Sequence, residues 1–181
     1  SKTARKNSLS IHLDGARFFN AVTALNCKPE ELANCADSVS VCLSKGLGTP
    51  LGTVLVGSSK FIRKARRNRK ILGGSMRQVG IVAAAGHYAL DNNISRLVED
   101  HNRAEFFANE LREMNIGNVD SGTNMVFFTP KDGQANKLRL HLEKYGVKIG
   151  DQNPSIRMVL HRDVSDEGLD KAIAGFKSFY Q

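Results

Sequence analysis

The run Val39-Ser40-Val41-Cys42-Leu43-Ser44-Lys45-Gly46-Leu47-Gly48-Thr49-Pro50 constrains this chain more than any other, because a strand-like alternation runs into a lysine followed by glycines. A period of two puts Val39, Val41 and Leu43 on one face of a buried strand, with Lys45 next in the series. Gly46, Gly48 and Gly52 then leave room for another group to approach the backbone closely. A lysine so placed is either an exposed turn residue or a reactive amine. Taken alone, the spacing favours the exposed turn, since lysine is ordinarily a surface residue.

What changes the balance is a second short strand upstream, Ile11-His12-Leu13-Asp14-Gly15-Ala16-Arg17. Its Asp14 precedes Lys45 by about thirty residues, a spacing that suits neighbouring strands joined by a helix. In an open α/β sheet, ligands sit beyond the carboxyl ends of the strands, so the carboxylate and the amine would face one crevice. A pyridoxal phosphate enzyme needs this pair: a lysine for the Schiff base and a carboxylate to keep the pyridine nitrogen protonated. Standing alone, Asp14 would read as a strand-end aspartate capping the next turn.

The segments His12-Leu13-Asp14-Gly15-Ala16-Arg17-Phe18-Phe19-Asn20-Ala21, Asp37-Ser38-Val39 and Ser44-Lys45-Gly46-Leu47-Gly48-Thr49-Pro50-Leu51-Gly52 together resemble the low-specificity L-threonine aldolase family of fold-type I pyridoxal phosphate enzymes. Gly73-Gly74-Ser75-Met76-Arg77-Gln78 is similar to the family's glycine-rich turn, and Ile156-Arg157-Met158-Val159-Leu160-His161 resembles its C-terminal substrate-binding strand. The match runs in order along almost the whole chain, and it implies a start about halfway along a typical member. The implied fold is α/β. Residues 1–116 would be the C-terminal part of the large cofactor-binding domain, with a mixed, mostly parallel sheet, and 117–181 a small α+β domain.

The resemblance also assigns roles. Lys45 would carry the cofactor, Asp14 would pair with the pyridinium nitrogen, and Arg157 would clamp the substrate carboxylate through its planar fork. Arg17 would stand near the cofactor ring and that carboxylate. Lys70 and Arg77, on either side of Gly73-Gly74, would serve the cofactor phosphate, Arg77 from a neighbouring subunit. The implied reaction cleaves L-threonine or L-allo-threonine to glycine and acetaldehyde in a homo-oligomer, a tetramer in the family. The family's phosphate loop and its ring-stacking histidine would belong to an earlier half, so the chain is expected to be inactive, or nearly so, alone. Two other readings stay open: a different fold-type I lyase, and a non-catalytic fragment that binds partner subunits or anions.

Charge bears on the partners. The net charge is +8, and Lys60, Arg63, Lys64, Arg66, Arg67, Arg69 and Lys70 supply seven positive charges, leaving the rest close to neutral. One basic helix face is usually solvated surface; an anion site is the next reading and nucleic acid the least favoured. No apolar run approaches the roughly eighteen residues a membrane span requires. Cys27, Cys35 and Cys42 form no metal-like cluster and suit a reduced, cytoplasmic setting, with Cys42 read as a small buried hydrophobe. His12 is read as a hydrogen-bonded structural histidine. His87, His101, His141 and His161 share no metal-binding spacing.

Elsewhere, residues 1–8 read as a frayed helix tail or loop, and Pro29-Glu30-Glu31 as a helix start. A strand at 52–57 leads through Ser58 or Ser59 as N-cap into a basic helix over 61–72. Helices follow over 77–90 and 94–114. Beyond residue 116 the pattern predicts a strand over 123–129, a helix over 134–145, a strand over 156–161 and a helix over 165–179, opened by Ser165.

Overall fold

Two short strands with an apolar face and a polar face organise the first part of the chain. In the computed structural model, which describes residues 1–131, 133–150 and 155–181, β1 (His12–Gly15) lies parallel to β2 (Ser38–Cys42), with Asp14 opposite Ser40. Leu13 and Gly15 pair with Val39 and Val41 and turn to the core. His12 and Asp14 pair with Ser38 and Ser40 on the other face. The strands approach closely at Gly15, where a Cβ would stand 2.5 Å from the Ser40 carbonyl oxygen.

The connection between these strands holds α2 (Phe18–Leu25) and α3 (Pro29–Ala33), the latter with proline and two glutamates in its first turn as its sequence predicts. α2 stops at Asn26, which takes the left-handed conformation that asparagine tolerates at a helix end. Phe18 and Val22 from this helix pack with Val39, Val41, Leu43, Leu47, Ala89 and Leu97 in one buried cluster.

β3 (Thr53–Gly57) runs antiparallel to β2, so the sheet is mixed, in the order β1-β2-β3. The Leu43 N–H donates to the Gly52 carbonyl at 3.0 Å. Alternation from that bond turns the main-chain groups of Val54 and Val56 toward β2 and those of Thr53 and Leu55 to the outer edge.

Next comes α4 (Ser59–Ile71), the expected basic helix, whose N-cap Ser58 accepts the Phe61 N–H at 3.3 Å. α5 (Gly80–Asn92) begins later than the 77–90 reading. Gln78 has φ +50, a left-handed residue that a helix cannot include, so Arg77 and Gln78 form a turn. Of the two readings of the N-terminal residues, the helical one agrees with the structure: Lys2–Lys6 form a short helix, α1, with Asn7 and Ser8 N–H bonds back to its carbonyls.

The chain divides into two compact units, Ser1–Leu97 and Val98–Gln181. This line and the expected one at 116/117 differ by a single helix, α6 (Leu97–Glu113), which goes almost wholly with the second unit. That unit contains a second three-stranded sheet in the order β4-β5-β6, antiparallel throughout. β4 (Gly117–Gly122) was not anticipated; its Asn, Asp, Ser and Gly residues carry little strand propensity, and pairing with β5 (Met125–Pro130) supplies the order. β6 (Ile156–Val159) completes the sheet, with α7 (Ala135–Glu143) and α8 (Asp166–Tyr180) alongside. Ser165 caps α8 as read, accepting the Gly168 N–H at 3.1 Å.

The core of the second unit is aromatic at its centre. Phe176 meets Phe107 and Phe128 edge-on, at centroid distances of 5.8 and 5.5 Å. Leu111, Leu138, Leu142 and Val126 close around them, fully buried. Among the described residues, no helix is long and apolar enough to cross a membrane.

Candidate active site

Lys45 emerges just beyond the C-terminal end of β2, and Asp14 lies near the C-terminal end of β1, the parallel neighbour. The fold thus brings both residues to the same end of one pair of strands. The alternation does not extend as far as Lys45: β2 ends at Cys42, Leu43 is still buried, and the backbone then bends, leaving Lys45 exposed. An exposed lysine outside the regular strand is free of the face that Val39 and Val41 impose. Its main chain closes a turn, its carbonyl accepting the Gly48 N–H at 2.8 Å.

The Asp14 side chain is itself oriented. Its Oδ1 accepts the Ala16 N–H at 3.0 Å, the turn-capping bond that a lone strand-end aspartate would make. The same bond holds an exposed carboxylate at the sheet end, so capping and a functional role are compatible here. His12, two residues earlier on that face, is held by a 2.9 Å bond between its Nδ1 and the Ser38 Oγ, in keeping with a hydrogen-bonded structural histidine. Cys42 departs from the buried hydrophobe expected of it. It belongs to the polar face, is half-buried, and has its Sγ 3.6 Å from the Ser44 Oγ.

Arg17 occupies the N-cap position of α2, two residues past β1, and is half-buried. Lys70 sits in the last turn of α4, and Arg77 in the turn before α5; both are exposed. Residues 38–90 contain no aspartate or glutamate, so these cations stand in an acid-free stretch of chain. A phosphate group suits such cations, whose ammonium and guanidinium groups offer it charge-assisted hydrogen-bond donors. Arg157 is an exposed residue on β6, opposite Phe127, and so belongs to the second unit, whereas the other five candidates belong to the first.

Two residues that the sequence reading passed over hold the lysine turn in place. Asn93, buried at the C-cap of α5, donates through Nδ2 to the Leu47 carbonyl at 2.7 Å. Asn20, buried on α2, lies against Gly46, where a Cβ would meet its Oδ1 at 2.8 Å. The signal was an asparagine following a long apolar helix. That pattern reads as an ordinary C-cap, and it gives no hint of a bond to a turn 46 residues away.

Comparison with known proteins shows what the chain is similar to. Residues 1–132 match the beta-eliminating lyase family. The chain is 45% identical over 175 residues to the low specificity L-threonine aldolase of Escherichia coli strain K12, covering 97% of this chain and 52% of that protein. Against low-specificity L-threonine aldolase 1 of Arabidopsis thaliana it is 42% identical over 183 residues, covering 96% of this chain and 51% of that one. The chain therefore spans about half the length of the curated relatives it matches.

Among solved structures, the Leishmania major threonine aldolase superposes with a TM-score of 0.81 at 16% identity, over 99% of this chain and 54% of that one. N-acetylornithine aminotransferase from Stenotrophomonas maltophilia gives a TM-score of 0.64 at 19% identity, over 98% and 50%. These likenesses establish the fold. Taken with the family match, they lead to one identification: the chain belongs to the beta-eliminating lyase family of enzymes.

Proposed function

We propose that this chain is the cofactor-attaching portion of a threonine aldolase that cleaves L-threonine and L-allo-threonine to glycine and acetaldehyde. The observation that carries the reading is Lys45 on a glycine-flanked turn at the end of β2, beside the strand that carries Asp14 one residue before its end. The similarity to threonine aldolases across nearly all of its length supports the substrate class.

The cofactor of this family is pyridoxal phosphate, and the residues present suit it chemically: an exposed amine, an oriented carboxylate and two exposed cations, Lys70 and Arg77, in a stretch of sequence without acidic residues. When bound, it supplies an electron sink for breaking the bond between Cα and Cβ of the substrate. Lys45 would hold it covalently. Asp14 would accept a hydrogen bond from the pyridine N–H and keep that proton in place. Lys70 and Arg77 would neutralise the phosphate, Arg77 reaching it from a second copy of the chain. Arg17 and Arg157 would bind the amino-acid carboxylate, fixing which Cα bond stands perpendicular to the ring.

A homo-oligomer, a tetramer, and a complementing half of the fold are part of this proposal. The coverage of relatives by about half supports a pocket incomplete within these residues, and neither nucleic acid nor membrane enters the reading. The setting proposed is cytoplasmic. The family's own description favours one alternative, a β-elimination that would release ammonia in place of acetaldehyde.

The test is intact mass after incubation with pyridoxal phosphate and borohydride reduction, with Lys45→Ala as control. A cofactor-sized adduct that disappears with Lys45→Ala supports the reading. An adduct independent of Lys45 sinks it. Assayed alone with L-threonine, the chain should release no acetaldehyde above background; a clear rate would overturn the proposed incompleteness.

A further inference from the structure

Residues 44–49 lie in neither strand nor helix, so what fixes the backbone of Lys45 must come partly from outside the turn. Inside it, the Gly48 N–H donates to the Lys45 carbonyl at 2.8 Å and the Thr49 N–H to the Leu43 carbonyl at 3.1 Å. The carbonyl of Leu47 is bonded from outside. Leu47 is 3% exposed, and a buried carbonyl without a donor is unfavourable. Asn93 meets it with its side-chain amide at 2.7 Å, while its own N–H donates to the Ala89 carbonyl at 2.9 Å and ties it to the end of α5.

Within the turn, Gly46 rests on Asn20 of α2 and on Leu97. At Gly46, an added Cβ would lie 2.8 Å from Asn20 Oδ1 and 3.0 Å from Leu97 Cδ2. Residue 46 is therefore seated by contact, and residue 47 by a hydrogen bond. Contact alone limits approach. The bond sets direction, because it requires the Leu47 carbonyl to face one point at the end of α5.

We propose that Asn93 is a positioning residue for Lys45, acting through the Leu47 carbonyl to hold the lysine's backbone in a single geometry while its side chain stays exposed. This deepens, and rests on, the reading of Lys45 as the cofactor-attaching lysine. The side-chain bond of Asn93 is to the backbone of the turn, so it acts on the lysine indirectly. An amide suits the task because it donates without bringing charge into a buried place. Aspartate has the same shape but, ionised, has no donor and would oppose the carbonyl. Without the bond, the carbonyl must turn toward water, and the lysine two residues away moves with it.

The experiment uses the 181-residue chain with pyridoxal phosphate and borohydride, and peptide mass to read adduct at Lys45 relative to adduct at Lys60, an exposed lysine on α4. Amide hydrogen exchange across residues 44–49 and across β1 and β2 is followed in the same samples. Asn93→Ala and Asn93→Asp should lower the Lys45 to Lys60 ratio about tenfold, as small displacements of a reacting group do. Both should speed exchange in the turn and leave β1 and β2 protected. Asn93→Gln, which keeps the donor, should recover part of the ratio.

An unchanged ratio with faster exchange in the turn would make Asn93 structural only and overturn the proposal. Loss of protection in β1 and β2 in both variants would do the same, since the bond would then serve folding. An unmodified chain that shows no preference for Lys45 over Lys60 overturns the reading of Lys45 and the proposal with it. That failure is distinct, because it appears before any variant is made.

Discussion

The two units each contain a three-stranded sheet, yet they finish burying it to different degrees. In the second unit β5 alternates cleanly, with Val126 and Phe128 fully buried against α6, α7 and α8. In the first unit β2 is buried on its apolar face, with Val39 3% exposed, but its neighbour β3 is open: Val54 is 45% exposed and Val56 49%. Leu55, on the opposite face of β3, is 37% exposed. Thr-Val-Leu-Val-Gly is the sequence of a strand meant to be covered on both faces, and here it is an edge. The second unit satisfies its own apolar surface. The first displays surface that suits a further layer of chain, and Ile71, Leu72, Met76, Val79 and Ile81, from the end of α4 to the start of α5, are exposed as well.

If that contrast is right, the largest stability effects should come from the second unit's core. Phe176→Ala removes the ring that joins Phe107 to Phe128 and should cost about 3–5 kcal/mol, measured by urea unfolding. A loss below about 1 kcal/mol would mean the core collapses around the gap, and that it is less tightly packed than the buried cluster indicates. Next in size is Asn124→Ala. Asn124 is buried and its Nδ2 donates to the Leu160 carbonyl at 2.8 Å, locking the end of β6 to the β4–β5 hairpin. Leaving that carbonyl unpaired should cost about 1–3 kcal/mol.

The pH dependence should be smaller. Burial is the main influence on His101 and holds its pKa below the ordinary 6.5, with the Asp100 carboxylate partly opposing the shift. A histidine whose folded pKa is depressed favours the neutral form in the native state. Its contribution to stability is therefore full above pH 6.5 and is lost as pH falls from there through the lower folded value. Unfolding curves taken from pH 7.5 down to 5 should steepen in that window, and His101→Gln should flatten them. Glu105 works in the same direction at lower pH: hydrogen bonds from Ser121 and Arg112 hold its carboxyl below the usual glutamate range. It is an exposed group whose removal should be barely measurable.

How much of this was legible in the sequence follows the same contrast. Elements whose signals are local came through: the Ser58 and Ser165 caps, Pro29 with its glutamates, and the alternation around Val39 and Val41. The fold class and family were legible too, because short runs such as Asp14-Gly15-Ala16-Arg17 and Ser44-Lys45-Gly46 resemble the family's own runs in the same order along the chain. What stayed hidden depends on partners distant along the chain. β4 has the composition of a loop and becomes a strand only because β5 pairs with it. Asn93 looks like a cap until the fold brings the Leu47 carbonyl to it. The start of α5 was misplaced because the left-handed Gln78 is a non-glycine, which periodicity cannot flag.

The smallest stability effect is the one that tests the contrast most sharply. Leu55→Lys places a charge on the open strand, where it meets solvent, so unfolding free energy should change by no more than about 0.5 kcal/mol. The same substitution in a covered strand would bury an unpaired ammonium and cost several times as much. Association should respond instead. Among the described residues no strand faces the outer main-chain groups of Thr53 and Leu55, and an apolar edge of this kind recruits further chain by adding a strand. Sedimentation at rising concentration should show weaker self-association for Leu55→Lys than for the parent, because a lysine on an edge strand disfavours strand addition. Large destabilisation would show β3 to be an interior strand of the unit and dissolve the comparison; unchanged association at unchanged stability would shift the contact surface from β3 to the apolar residues of α4 and α5.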